Sequence, residues 1–166
     1  MVLLAGAVVA LALVAMLVAY LQLGYHADVR TAGVDANPVR DGQSYLRRAT
    51  HDAARARRGE HDWSRRDRAV TALRTELRPR LRRLQRSGVE SGVVYDVGFN
   101  RTLARRWANV NCPGGPGREF GPCEARRGVV VQKRGDRTLV LAVGYDLEVT
   151  TERRSVRLSF VAESVS

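Results

Sequence analysis

Two histidines in this sequence are each followed by an aspartate, a pairing that can orient an imidazole for general-base catalysis. The pairs are His51-Asp52 and His61-Asp62. Neighbouring residues on a helix do not face each other, and no nucleophile stands in a recognisable strand-to-helix turn. We therefore interpret these four residues as solvated surface groups. We expect no catalytic residue, no small-molecule substrate and no enzymatic activity.

The two cysteines, Cys112 and Cys123, enclose a short loop rich in glycine and proline. The simplest interpretation is a disulfide that closes this loop and stabilises the fold by about 3 kcal/mol. Two free buried thiols and a metal site are the alternatives. All three histidines lie far from the cysteines in sequence, so we expect neither a metal nor another cofactor. A disulfide would indicate an oxidising compartment.

Arginine recurs at every fourth position over one stretch, at Arg74, Arg78, Arg82 and Arg86, and Arg83 lies beside this series. On a helix that spacing forms a slowly winding stripe of like charges, which repel one another. Two interpretations stay open for this arginine stripe. It is either a solvated face opposite an apolar one, or a binding surface for anionic headgroups, a polyanion or an acidic partner.

The charge of the whole chain bears on the same question. Its 28 Lys and Arg residues outnumber 17 Asp and Glu residues, which gives a formal net charge of +11. Such a chain binds nucleic acid nonspecifically at low salt. Aromatic residues are few and no nucleic-acid-binding module is recognisable, so we expect no specific nucleic-acid partner.

The N-terminal part of the chain is an apolar run from Val2 to Leu21, interrupted only by Gly6 and Tyr20. About twenty helical residues at about 1.5 Å each cross a hydrocarbon core of about 30 Å. We therefore predict a transmembrane helix within residues 1–25. The run lacks the basic start and the cleavage sequence of a signal peptide, so we interpret it as a permanent anchor in the lipid bilayer.

The orientation of the anchor depends on opposing signals. Arg30 and Arg40 follow the apolar run, and positive charge there favours a domain inside the cell. The expected disulfide and the glycosylation sequon at Asn100, Arg101 and Thr102 favour a domain outside. We expect a single-pass protein of the cell membrane whose C-terminal domain is extracytoplasmic, with Asn100 as a candidate glycosylation site.

The predicted helices come first in the soluble part. Residues 26–43 contain Gly33, Pro38 and Gly42 and predict a linker, which leaves 44–166 as one extracytoplasmic domain. Helical spacing of apolar residues predicts two helices within 44–87. Ser64 is the expected cap of the second helix, and Pro79 predicts a kink or a break within it. The apolar face of that helix comprises Val70, Leu73, Leu77, Leu81 and Leu84.

From residue 89 to 163 the pattern is mostly that of strands. Apolar residues alternate over 93–99, a short helix carrying Trp107 follows over 102–110, and strands are predicted at 129–133, 138–150 and 155–161. Gly135-Asp136 predicts the turn of a hairpin. The expected fold class is therefore α+β: an N-terminal transmembrane helix, a helical segment and a small antiparallel β-meander.

Two segments carry a resemblance to a known family. One is Val2–Leu13 continued by Ala19–His26, and the other is the cysteine loop, Asn111–Gly117 with Gly121–Ala125. Together they resemble an uncharacterised family of haloarchaeal single-span membrane proteins, whose N-terminal segment is similar to that of archaeal type IV pilins. The resemblance implies an exported α+β head on an N-terminal helix, which sits in the membrane or packs into a filament core. It implies no enzyme.

The chain departs from the pilin pattern at its start. A pilin-like protein usually has a short leader that is cut by a prepilin peptidase, whereas here the apolar run follows Met1 at once. We expect a noncatalytic, single-pass, membrane-anchored surface protein, with a pilin-like minor subunit as the specific form. Its partners would then be other pilin-like subunits, met through the N-terminal helix. The alternative is a membrane-tethered module that binds an anionic partner through the arginine stripe.

Overall fold

The computed structural model describes residues 37–117 and 120–164. Its elements, in chain order, are α1 (Pro38–Ala56), α2 (Arg66–Ser87), β1 (Val94–Phe99), α3 (Arg101–Asn111), β2 (Phe120–Arg126), β3 (Val129–Arg134), β4 (Arg137–Thr150) and β5 (Ser155–Glu163). Two short 3-10 helices, Trp63–Arg65 and Val89–Ser91, flank α2.

Helix α1 begins at Pro38, inside the stretch 26–43 that the sequence predicts as a linker. The side chain of Asn37 accepts a hydrogen bond from the Arg40 backbone N–H at 3.2 Å, which caps the helix. Pro38 occupies the first helical turn, where its missing N–H costs nothing. The predicted end of the linker at residue 43 is therefore wrong, because Pro38 already starts a helix.

Helix α2 buries its predicted apolar face, which confirms the leucine spacing. Two details differ from expectation. Ser64 lies in the 3-10 turn before α2, and no side chain makes a capping hydrogen bond at the N-terminus of α2. Pro79 stays inside one continuous helix, so the predicted break is wrong. The helix ends at Ser87, and Gly88 is its C-terminal cap residue.

The strands form one five-stranded antiparallel sheet in which β4 is the central element. The first half of β4 pairs with β3, and its second half lies between β1 and β5. Strand β2 extends the sheet by pairing with β3. β4 can pair with three strands because it has 14 residues, about twice as many as β1 or β3.

Helices cover both faces of the sheet. The apolar sides of α1 and α2 pack on one face, against side chains such as Tyr145 and Leu147. Helix α3 packs on the opposite face through Ala104 and Ala108. A β-bulge leaves Leu141 without a partner on β3, so Leu141 and Ala142 both point toward α3. The architecture is therefore three layers: two helices, a sheet and one helix.

The fold class predicted from the sequence is wrong as stated. Its content of helices and antiparallel strands is present, but the strands do not form a simple meander, because β1 pairs with β4 instead of with the next strand along the chain. Across 37–117 and 120–164, no helix is long and apolar enough to cross a membrane. The transmembrane helix predicted within residues 1–25 falls outside these described ranges.

Candidate anion-binding surface

The outer side of α2 carries arginines without acidic partners. Arg78, Arg82, Arg83 and Arg86 are all exposed, and in the described part of the chain no carboxylate forms an ion pair with them. Glu76, the acid nearest to them on the helix, is bound by Arg57 at 3.4 Å and by Arg80 at 3.2 Å. The positive charge of this surface is therefore not neutralised by the fold.

The arginine stripe does not remain on one face of α2. Each step of four residues turns a helix by about 40° beyond a full turn, so Arg74 and Arg86 differ in direction by about 120°. Arg74 is half-buried, and its guanidinium carbon lies 3.9 Å from the centre of the Phe99 ring. Arg74 also donates a hydrogen bond to the carbonyl oxygen of Arg127. This end of the stripe faces the sheet.

Other arginines add to the positive charge around Arg74. The pKa of its guanidinium is lowered, first because burial removes water and then because Arg127, Arg101 and Arg78 add positive charge nearby. Arg101 begins α3, and Arg127 lies in the turn between β2 and β3. Tertiary structure thus adds Arg127 to the stripe through the hydrogen bond from Arg74. It also brings in Arg101, which follows two residues after the Phe99 ring that Arg74 covers. We call Arg74, Arg78, Arg101 and Arg127 the arginine cluster.

Arg127 occupies an unusual backbone conformation. With Gly128 it forms the two-residue turn between β2 and β3, and its φ is +52°. Such a turn needs positive φ at both positions, which favours Asn or Gly over other residues. The Arg127 guanidinium donates to the Thr71 hydroxyl at 2.6 Å and to the Asp67 carbonyl at 3.1 Å. The turn is thereby fastened to α2.

Arg83, at the other end of the stripe, lines a groove of about 320 Å³ between α1 and α2. Arg48, Asp52 and Arg80 share the lining of this groove. Arg80 donates to the Ala49 carbonyl at 3.0 Å, in addition to its ion pair with Glu76. Asp52 and the paired Glu76 therefore offset part of the positive charge of this groove.

The histidine–aspartate pairs show no catalytic geometry. In the described chain neither aspartate is hydrogen-bonded to its neighbouring histidine. Asp62 instead pairs with Arg65 and, at 3.0 Å, with Arg137. The hydrogen bond from Arg65 is the main cause of its lowered carboxyl pKa. Asp62 therefore ties the start of α2 to β4 and does not orient an imidazole.

Cys112 and Cys123 form a disulfide with their Cα atoms 5.9 Å apart, rather than two free thiols or a metal site. The bond joins the end of α3 to β2. The side-chain amide of buried Gln132 donates to the carbonyls of Pro113 at 2.6 Å and Gly121 at 3.1 Å, which holds both sides of the loop. Within 37–117 and 120–164, no group of three acidic, histidine or cysteine side chains could hold a metal ion.

Asn100, the candidate glycosylation site, is the cap of α3. Its side-chain oxygen accepts a hydrogen bond from the Leu103 N–H at 2.7 Å, and its amide nitrogen donates to Asp146 at 2.8 Å. A glycan would attach at this same nitrogen, which is partly buried. The geometry therefore gives Asn100 a structural role.

Sequence reasoning did not place Phe99, Arg101 or Arg127 at the anion-binding surface. The dipeptide Arg127-Gly128 between two apolar runs carries a turn signal that would have located one of them. Nothing in the local sequence links Arg101 or Phe99 to α2.

Comparison with known proteins gives one match. Residues 1–163 match a protein family described as a family of unknown function, DUF7261. No curated protein matches the chain. No solved structure matches it either.

Proposed function

Because the chain belongs to the DUF7261 family, whose function is unknown, we propose a function from its own residues. We infer that it is a noncatalytic surface protein, attached to the membrane through its apolar N-terminal run, whose head binds an anionic partner. The head comprises residues 37–164. The single observation that carries the proposal is the exposed α2 surface, whose arginines lack acidic partners.

An anion would relieve the repulsion within this surface. Like charges four residues apart on a helix destabilise it by a few tenths of a kcal/mol per pair. Guanidinium groups bind carboxylate, sulfate and phosphate oxygens through two parallel hydrogen bonds. A polyanion that contacts Arg78, Arg82 and Arg86 in succession would replace each repulsion with a charge-assisted hydrogen bond.

The binding proposal is tested with the triple variant Arg82→Gln, Arg83→Gln and Arg86→Gln. We expect its affinity for dextran sulfate, a model polyanion, to fall at least about tenfold, because three direct phosphate-type contacts are lost. The matched control replaces the exposed residues Arg105, Arg106 and Arg153 by Gln, which removes the same charge elsewhere. An equal loss in both variants would mean that net charge alone binds the polyanion, and would overturn the proposal.

The extracytoplasmic location is supported by the disulfide, since such bonds persist in oxidising compartments. The test is alkylation of freshly isolated, unreduced protein, followed by mass measurement. We expect neither cysteine to react. Two alkylated thiols would contradict an exported head.

A second candidate function is that of a pilin-like minor subunit in a haloarchaeal cell surface filament. It is favoured by the apolar run from Val2 to Leu21 and by its similarity to archaeal type IV pilins. In a filament this run would be the packing element between subunits. At molar salt the Debye length is about 3 Å, so the arginines would act only through direct contacts. Absence of the protein from sheared surface filaments would exclude this function.

A further inference from the structure

In the described part of the chain, the arginine cluster lacks acidic partners, as do the exposed arginines Arg82, Arg83 and Arg86 of α2. Elsewhere in the head, arginines such as Arg57, Arg66 and Arg126 form ion pairs with Glu or Asp. None of the four cluster arginines does so within the described residues. Asp67, which contacts Arg127, gives its carboxylate to Arg126 and offers Arg127 only its backbone carbonyl. The fold therefore joins Arg74 to Arg127 by a hydrogen bond and places Arg78 one turn further along α2. Arg101 follows two residues after Phe99, whose ring lies under Arg74, and the described residues supply none of these arginines with a carboxylate partner.

Two members of the cluster are held in place before any ligand arrives. The ring of Phe99 and the carbonyl of Arg127 fix the guanidinium of Arg74. Phe99 in turn packs against buried Tyr145, with ring centroids 5.6 Å apart. Thr71 and the Asp67 carbonyl fix the guanidinium of Arg127. Prepositioned donors lower the entropy cost of binding, so this arrangement favours a ligand with a defined geometry.

The conformation of Arg127 adds an independent observation. In the described chain it is the one non-glycine residue with positive φ, and a left-handed conformation costs an ordinary residue about 1–2 kcal/mol. Asn or Gly would satisfy the same turn with less strain. Strained residues of this kind cluster at ligand sites, where the surrounding structure maintains them.

We propose that the arginine cluster binds a phosphate group, either as free phosphate or as the headgroup of an anionic lipid. Phosphate fits better than a carboxylate because its oxygens point in several directions and can meet guanidiniums from α2, α3 and the β2–β3 turn at once. The inference deepens the proposed function, on which it rests, by adding Arg101 and Arg127 to the arginines of α2. It also names the chemistry of the ligand.

The test uses the full chain in nonionic detergent and isothermal titration with inorganic phosphate. Arg101→Gln removes an exposed cluster arginine that makes no hydrogen bond through its side chain in the described structure. We expect a loss of affinity of about tenfold, because a hydrogen bond to a charged group is lost. Arg105→Gln, one turn further along α3, is the matched control and should leave the affinity unchanged. Arg101→Lys should retain part of it.

The two phosphate sources are separated by titrating dihexanoyl phosphatidic acid, with dihexanoyl phosphatidylcholine as the neutral control. Tighter binding of phosphatidic acid than of inorganic phosphate, weakened by Arg101→Gln, would identify a lipid headgroup. Equal binding of both would identify the free anion. Failure of the wild-type protein to bind either compound, or an equal effect of Arg101→Gln and Arg105→Gln, would overturn the proposal.

Failure of the phosphate site is distinguishable from failure of the proposed function. Arg82, Arg83 and Arg86 lie outside the cluster, so their triple Gln variant should lose dextran sulfate but keep its phosphate affinity. If Arg101→Gln leaves phosphate binding intact while the triple variant loses dextran sulfate, the phosphate site is refuted and the proposed function stands. If Arg101→Gln loses phosphate binding while the triple variant still binds dextran sulfate, the proposed function of the stripe is refuted and the phosphate site stands.

Discussion

At the residue scale, Tyr145 links the sheet to α1 through one buried hydroxyl. Thr50 Oγ1 donates to the Leu46 carbonyl at 2.8 Å, so the Tyr145 hydroxyl, 2.9 Å away, donates to Thr50. Burial raises the pKa of this hydroxyl to about 12. Ionisation of the phenol is therefore coupled to unfolding.

The sign of the coupling gives a prediction. An unfolded tyrosine loses its proton near pH 10, whereas folded Tyr145 keeps its proton up to about pH 12. The stabilisation is complete below pH 10 and is lost as the pH rises from 10 to 12, by about 3 kcal/mol. Urea unfolding between pH 9 and 12 measures it. Tyr145→Phe should flatten this alkaline loss while lowering stability at neutral pH by about 1 kcal/mol.

Gly144 permits the close approach of α3 to the sheet. A Cβ atom built on it would lie 2.6 Å from the Asn100 carbonyl oxygen and 3.1 Å from the Ala104 nitrogen. Gly144→Ala should therefore lower the free energy of unfolding by about 2 kcal/mol, measured by chemical denaturation. Gly98→Ala is the control, because nothing lies within 4 Å of its added Cβ. Equal stabilities of the two variants would contradict this packing.

At the element scale, the periodicity of apolar residues predicted the buried faces of helices and strands, but local sequence did not predict where the helices begin. The leucine face of α2 and the alternation of β1 both follow from burial of one side of an element, which repeats along the chain. Pro38 and Ser64 could each start a helix or lie outside it, and local sequence does not decide between these. Their roles depend on where the chain arrives from the neighbouring layer.

Pro79 gives a prediction for α2. It is exposed within a continuous helix and offers no N–H to the carbonyl of Thr75. Pro79→Ala restores this hydrogen bond and should raise the free energy of unfolding by about 1–3 kcal/mol. Thr75→Ala, at another exposed site of α2, should change it by only a few tenths of a kcal/mol. Thermal or urea unfolding would show the difference, and no gain from Pro79→Ala would argue against it.

The disulfide gives a second prediction at this scale. Replacing both Cys112 and Cys123 by Ser should lower the stability by about 3 kcal/mol, because the unfolded chain regains the freedom of the closed loop. The unfolding midpoint of the double variant should no longer respond to reducing agent, whereas that of the parent protein should fall. A parent protein indifferent to reductant would show that the bond contributes nothing.

At the scale of the whole molecule, β4 couples the two apolar clusters. Val143 and Tyr145 face α1 and α2, while Leu141 and Ala142 face α3. We expect a fragment of residues 37–166 to fold by itself and to unfold in one transition, because loss of β4 removes both clusters together. Superposition of the near-UV and far-UV circular dichroism transitions would test this. Two separate transitions would show that α3 unfolds independently.

Local sequence predicted most of the helices and strands and the buried face of α2, but it missed β2 and favoured the disulfide without excluding free thiols or a metal site. These predictions depend on local periodicity, or on there being only two cysteines. Only the folded arrangement shows which three strands β4 pairs with, that α3 covers the second face of the sheet, and that Arg127 and Phe99 contact Arg74. Such contacts join residues far apart along the chain, and their energies depend on how whole elements pack, which no local pattern records.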